Sequence, residues 1–203
     1  MAFALAKKLG MSQIYDGEKR VSITLLEAGP AIVAHIRTLE KDGYTAVGIG
    51  WGTKKHPTKP RKGQLKDMPS FAHVKEFRVN PNEIGTYALG QTLGVESFEE
   101  GKKVRISGLT KGRGFQGVVK RYSFRGGPKT HGQKNRHRAP GSIGATTPQQ
   151  VIKGRRMAGR MGGERKTIKN LLVVKIDNDQ QLIALRGSVP GNKGSMIEIV
   201  STK

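Results

Sequence analysis

Along the first hundred residues, apolar positions come in short runs set off by glycine and proline. The stretches 21–28 (VSITLLEA) and 31–38 (AIVAHIRT) are β-branched and apolar, and Gly29-Pro30 between them is a turn signal. The runs at 44–52 and 73–79 alternate or nearly so, and 102–110 (KKVRISGLT) reads as another strand. Residues 54–64 read as a basic Pro/Gly loop, and 80–98 are ambiguous, with room for a helical turn. Order returns late in the chain. The segments 167–177 and 181–187 predict a hairpin, with Leu172, Val174 and Ile176 facing inward, and 195–200 predicts a last strand.

Between these flanks, from 111 to 165, neither the strand period nor the helix period persists. A structureless stretch beyond ~12–15 residues inside a compact domain is uncommon, and this one is roughly four times that length. The pattern predicts a mainly β protein: a small closed β-barrel body from 1–110 and 166–203, with a minor α+β element (45–98 is open to such an insertion). A long irregular arm, 111–165, interrupts it. If 121–142 run out and 149–170 run back, each limb could reach roughly 70 Å at ~3.3 Å per residue.

Charge changes the picture of that arm. The chain carries 37 Lys+Arg against 15 Asp+Glu, a net charge of +22. From Gly101 to Gly163 there is no Asp or Glu, while 16 Lys and Arg fall in the same span. Such a segment cannot neutralise itself, and alone in water it repels itself and stays open. Its counter-charge must come from a polyanion. Glycines, 28 in the chain, allow close backbone approach, and arginine binds phosphate bidentately and stacks on bases. Folded RNA, with narrow phosphate-lined passages and exposed base faces, is the best match. A duplex reader would carry a basic helix pattern, which is missing here.

The candidate RNA contacts are therefore Lys111, Arg113, Lys120, Arg121, Arg125, Lys129, His131, Lys134, Arg136, His137, Arg138, Lys153, Arg155, Arg156, Arg160 and Arg165. A second basic run, Lys54, Lys55, Lys59, Arg61 and Lys62, is either a solvated face or a further phosphate contact. Tyr122 and Phe124 form either a base-stacking platform or a satellite core at the root of the arm. The competing view of the whole arm is a disordered cationic linker. Against it, the two flanking segments look like parts of one β body.

Other chemistries find little support. The glycine motif GRGFQG (112–117) has a strand before it, but VVKRYSFRGGP is a poor helix and no acid follows until Glu164, so a dinucleotide site is not expected. With no cysteine, disulfides, thiolate nucleophiles and Cys-based zinc sites fall away. His131 and His137 stand among cations that would repel a metal. An RNA-modifying enzyme would have to use acids of the β body, such as Glu27 or Asp177, and nothing groups them. A membrane-surface protein would need an amphipathic basic helix. MAFALAKKLGM places its apolar stretch ahead of its lysines, the reverse of a signal peptide, and no apolar run approaches the ~20 residues of a bilayer span. The expectation is a soluble cytoplasmic protein that is not a homo-oligomer.

The motifs KKLGMSQIYD, SGLTKGRGFQGVVKRYSF, THGQKNRHRAPGSIGATTP, IKGRRMAGRMGGER and VPGNKGSMIEI resemble, in order and spacing over essentially the whole chain, bacterial-type large-subunit ribosomal protein L3 (uL3). The resemblance implies a translation-protein-type β-barrel and an arm buried in large-subunit, 23S-type rRNA. It also implies early binding during assembly near the rRNA 3′ domain, L14 and L19 as neighbours, no enzymatic activity, and no cofactor beyond Mg2+ held through the rRNA. On this chain the arm's walls match 120–138 and 153–165. The tip that approaches the peptidyl transferase centre matches Ser142, Ile143, Gly144, Ala145, Thr146, Thr147, Pro148 and Gln149. Some members carry a methylated glutamine just before the Thr-Pro of the tip. Here that place is Thr146, and Gln149 and Gln150 lie beyond the proline, so no methylation is expected.

Overall fold

The computed structural model describes residues 2–65 and 68–202. In chain order its strands are β1 (Phe3–Asp16), β2 (Lys19–Glu27), β3 (Ala31–Arg37), β4 (Ala46–Thr53), β5 (Phe71–Arg78), β6 (Thr92–Leu93), β7 (Lys103–Leu109), β8 (Phe115–Gln116), β9 (Gly159–Arg160), β10 (Arg165–Asp177), β11 (Leu182–Arg186) and β12 (Met196–Ser201). The helices are short: α1 (Leu39–Asp42), α2 (Lys59–Gln64) and α3 (Val118–Tyr122), with 3₁₀ turns at Pro81–Thr86 and Val95–Ser97. The molecule is mainly β. Its contacts divide it into two units, one running to Leu109 and resuming at Arg165, the other Thr110–Glu164.

In the first unit, six antiparallel strands pair in the order β1-β12-β7-β10-β11-β2, and β2 pairs back with β1, so the ring closes. Every strand of the ring contributes to one apolar cluster: Ala4 and Ala6, Leu26, Val104 and Ile106, Val173, Ile183 and Leu185, Ile197 and Ile199. Because the strand period is two, the alternate residues of β1 and β12 face the other way. Phe3, Leu5 and Val200 pack with Val33, Val47, Ile49 and Phe77 of a second, four-stranded sheet ordered β5-β4-β3-β6. Phe3 stacks on Phe77 with ring centroids 4.8 Å apart. The ring is thus buried on two faces where the second sheet covers it. Lys8, itself buried, donates its Nζ protons to the carbonyls of Val189 (2.9 Å) and Gly191 (3.3 Å), tying down the loop before β12.

Four expectations need correction. First, the apolar runs mark no individual strand before residue 21, yet β1 is the longest strand among the described residues. Its run Phe3–Ala6 is buried on both faces, so it lacks the alternation that marks a half-exposed strand. Second, Leu172 and Val174 are only partly buried, and the side chain in the ring core is Val173, with Leu171 and Ile176 packed beside it. A bulge between Val173 and Lys175 adds one residue and switches the parity of the strand. Third, α2 forms within the segment expected to be a loop: Pro60 occupies the first turn, where its missing N–H costs nothing, and the Lys62 N–H donates to the Thr58 carbonyl at 3.0 Å. Fourth, the second sheet begins at Ala31 rather than at 45, because the chain leaves the ring after β2, turns at Gly29-Pro30, and β3 pairs with β4 and β6.

Candidate nucleic-acid interface

The second unit starts as a narrow ribbon. Thr110 N–H donates to the Glu164 carbonyl (2.9 Å), Arg113 N–H to Met161 (2.9 Å), and Met161 N–H to Gly114 (2.9 Å). Within it β8 pairs with β9, Phe115 opposite Arg160 and Gln116 opposite Gly159. Gly162 must be glycine for two reasons: its φ is +75°, and a Cβ would stand 2.0 Å from the Lys111 carbonyl oxygen. Then α3 forms, a single short helix in the stretch judged a poor one, and ends at Ser123 in the left-handed conformation.

Beyond α3 the two limbs are fastened by side chains rather than by a sheet. The Arg121 guanidinium donates to the Met157 carbonyl at 2.8 Å. It lies 4.9 Å from the centroid of the Tyr122 ring, and Arg156 approaches that ring from the returning limb at 5.6 Å. Each contact is a cation–π attraction. Gly159 makes room for this arrangement, since a Cβ there would meet Arg121 Nη1 at 2.6 Å. Phe124 tilts against Tyr122, ring centroids 6.2 Å apart, and borders an open recess of about 420 Å³ with Ile152, Lys153 and Arg155. Of the two roles considered for Tyr122 and Phe124, internal packing is the one their surroundings describe.

Further out, Gly127 N–H donates to the His137 carbonyl (3.0 Å), and His137 Nδ1–H donates to the Pro128 carbonyl (2.9 Å). Arg155 donates to the Ser142 carbonyl, and Ser142 Oγ–H to the Gly144 carbonyl at 2.8 Å. Every residue from Gly141 to Gln150 is exposed, which includes the whole tip, Ser142, Ile143, Gly144, Ala145, Thr146, Thr147, Pro148 and Gln149.

The electrostatics follow from the inventory. Residues 110–164 hold thirteen Lys and Arg against the single acid Glu164. Lys111, Arg113, Lys120, Arg125, Lys129, Lys134, Arg136, Arg138, Lys153, Arg155, Arg156 and Arg160 are exposed, as are His131 and His137; Arg121 is half-buried. Among the described residues, none of these cations forms an ion pair. Arg165 differs: it belongs to the first unit and pairs with Glu198, which also lies 3.7 Å from Lys75. In the other basic run, Lys54, Lys55, Lys59 and Lys62 are exposed, and Arg61 is half-buried in a cleft it shares with Glu76 and Glu198. Sequence reasoning treated Arg121 and Arg155 as equal to the other cations. Nothing in a sequence separates a guanidinium bonded to its own chain from one that is free.

Among the described residues no cluster of three or more His, Asp or Glu could hold a metal ion, and no helix is long and apolar enough to cross a membrane.

Residues 72–184 match the family described as ribosomal protein L3. A protein named large ribosomal subunit protein uL3 from Dehalococcoides mccartyi is 46% identical over 200 residues, covering 98% of this chain and 97% of that protein. Proteins of the same name from Prochlorococcus marinus are 50% and 51% identical over 201 residues, each covering 96% of this chain and 91% of the relative. The chain belongs to the ribosomal protein L3 family, whose members are structural proteins and not enzymes.

Proposed function

We propose that this chain is a structural component of the large ribosomal subunit in the cytoplasm. On this reading it binds 23S-type rRNA through residues 110–164, acting as a long arm on a translation-protein-type barrel. The barrel anchors the protein, and the arm neutralises and separates RNA segments that would otherwise repel one another. Lys134, Arg136, Arg138, Lys153 and Arg156 contact phosphates, the 54–62 run contributes a second set, and the tip 142–149 reaches toward the peptidyl transferase centre. The protein binds early in assembly, beside neighbours of the L14 and L19 kind, as a single copy, with Mg2+ present only through the RNA.

One observation carries this reading: thirteen basic side chains with a single acid among them and, among the described residues, no ion pair to any of them. A fixed shape for so much like charge requires polyphosphate around it. The test is crosslinking in purified particles. Peptides from 134–156 are expected to carry large-subunit rRNA nucleotides, and crosslinks confined to proteins would contradict the reading. Intact mass of residues 142–150 is expected to show no methyl group.

A further inference from the structure

We infer that Phe115 is a stacking site for an unpaired RNA base. The inference rests on the RNA-binding reading above and adds a contact of a different kind to its phosphate contacts.

The chain has six phenylalanines. Phe3, Phe71, Phe77 and Phe98 are each at most 7% exposed, and Phe124 is half-buried against Tyr122. Phe115 is 77% exposed. It has no hydroxyl to solvate, and nothing in its own unit covers its ring. A phenyl ring left in water forgoes a large part of the burial free energy that the other five gain.

The placement of Phe115 is defined. Its backbone is in β8, paired with β9, and the bonds from Arg113 N–H to Met161 and from Met161 N–H to Gly114 hold the ribbon immediately before that pair. A residue fixed in a strand presents its ring at little entropic cost on binding. Directly across the ladder stands Arg160, whose guanidinium lies over Gly163, and Lys111 and Arg113 precede Phe115 in the chain, just before β8 begins. An apolar protein pocket would have to desolvate these cations without compensation. A nucleobase brings its own phosphates to them while its face covers the ring. Tyr122 is a poor alternative, because Arg121 and Arg156 already lie over it.

The experiment titrates the full-length protein against naked large-subunit rRNA at several salt concentrations, with Phe115→Leu and Phe115→Trp. Leucine keeps an apolar side chain on the ribbon and removes the aromatic face. It is expected to weaken binding about 5- to 150-fold at every salt concentration, with the slope of log affinity against log salt unchanged. Tryptophan is expected to restore affinity, and its emission, measured above that of Trp51, to be quenched by RNA. Wild-type affinity in Phe115→Leu would overturn the proposal, and so would a loss accompanied by a shallower salt slope, which would mean that Phe115 only supports nearby cations. A wild-type protein whose binding ignores salt would instead contradict the RNA-binding reading on which the proposal stands.

Discussion

The Arg121 guanidinium reaches the carbonyl oxygen of Met157, 36 residues further along the chain, at 2.8 Å. This bond joins the outgoing limb to the returning one at a point where no strand pairing does so. It uses a planar donor that also lies on the Tyr122 ring. Arg121→Lys keeps the charge but loses the plane. Amide exchange across 157–161 is expected to accelerate several-fold, in line with roughly 1 kcal/mol of lost local stability, while the salt slope of RNA binding stays as in the wild type. Unchanged exchange would remove Arg121 from this role.

The parity switch in β10 gives a second prediction. Val173 is 1% exposed in the ring core, and its neighbour Val174 is only partly buried. Val173→Ala should cost about 1–3 kcal/mol through lost burial and a residual cavity, and Val174→Ala less than half of that. Thermal or denaturant unfolding of the two variants decides it. The reverse order would place the bulge elsewhere.

Glu76 supplies a pH dependence. It accepts hydrogen bonds from His35 Nε2 (2.8 Å) and the Tyr44 hydroxyl (2.9 Å). Partial burial pushes its carboxyl upward, but those bonds, with the charges of His35 and Arg37, outweigh burial and hold it below the ordinary glutamate value. A depressed carboxyl adds stability that is complete above the ordinary, unfolded value and fades as pH falls through the folded one. Glu76→Gln should therefore lower the melting temperature at neutral pH, and the gap to wild type should close as the solution is made more acid than the ordinary glutamate range. A gap that widens in acid would reverse the sign of this account.

These elements also show what sequence can carry. The hairpin of β10 and β11 is legible because its apolar runs are long and its turn is marked. Which valine enters the core is not legible, since a bulge is set by pairing partners distant in the chain. The strand Phe3–Asp16 hides because Phe3 and Leu5 meet one sheet while Ala4 and Ala6 meet the ring interior, and burial on two faces erases alternation. The charge of the 110–164 segment is plain from composition. The division of its arginines into Arg121 and Arg155, bonded to their own backbone, and the others is decided by three-dimensional reach. The exposure of Phe115 is not legible either, because an exposed and a buried phenylalanine look alike in sequence until strand pairing fixes which side is covered.

The central claim is that the cations of 110–164 take their counter-charge from RNA phosphate. Its most direct test is the affinity of the intact protein for large-subunit rRNA as a function of salt, compared with a variant carrying Lys134→Gln, Arg136→Gln and Arg138→Gln. The account predicts a fall of roughly 10³–10⁵ between ~50 and ~200 mM salt if six to ten phosphates are engaged, and a slope shallower by about two in the variant. Binding that is indifferent to salt, or a variant with the wild-type slope, would contradict it.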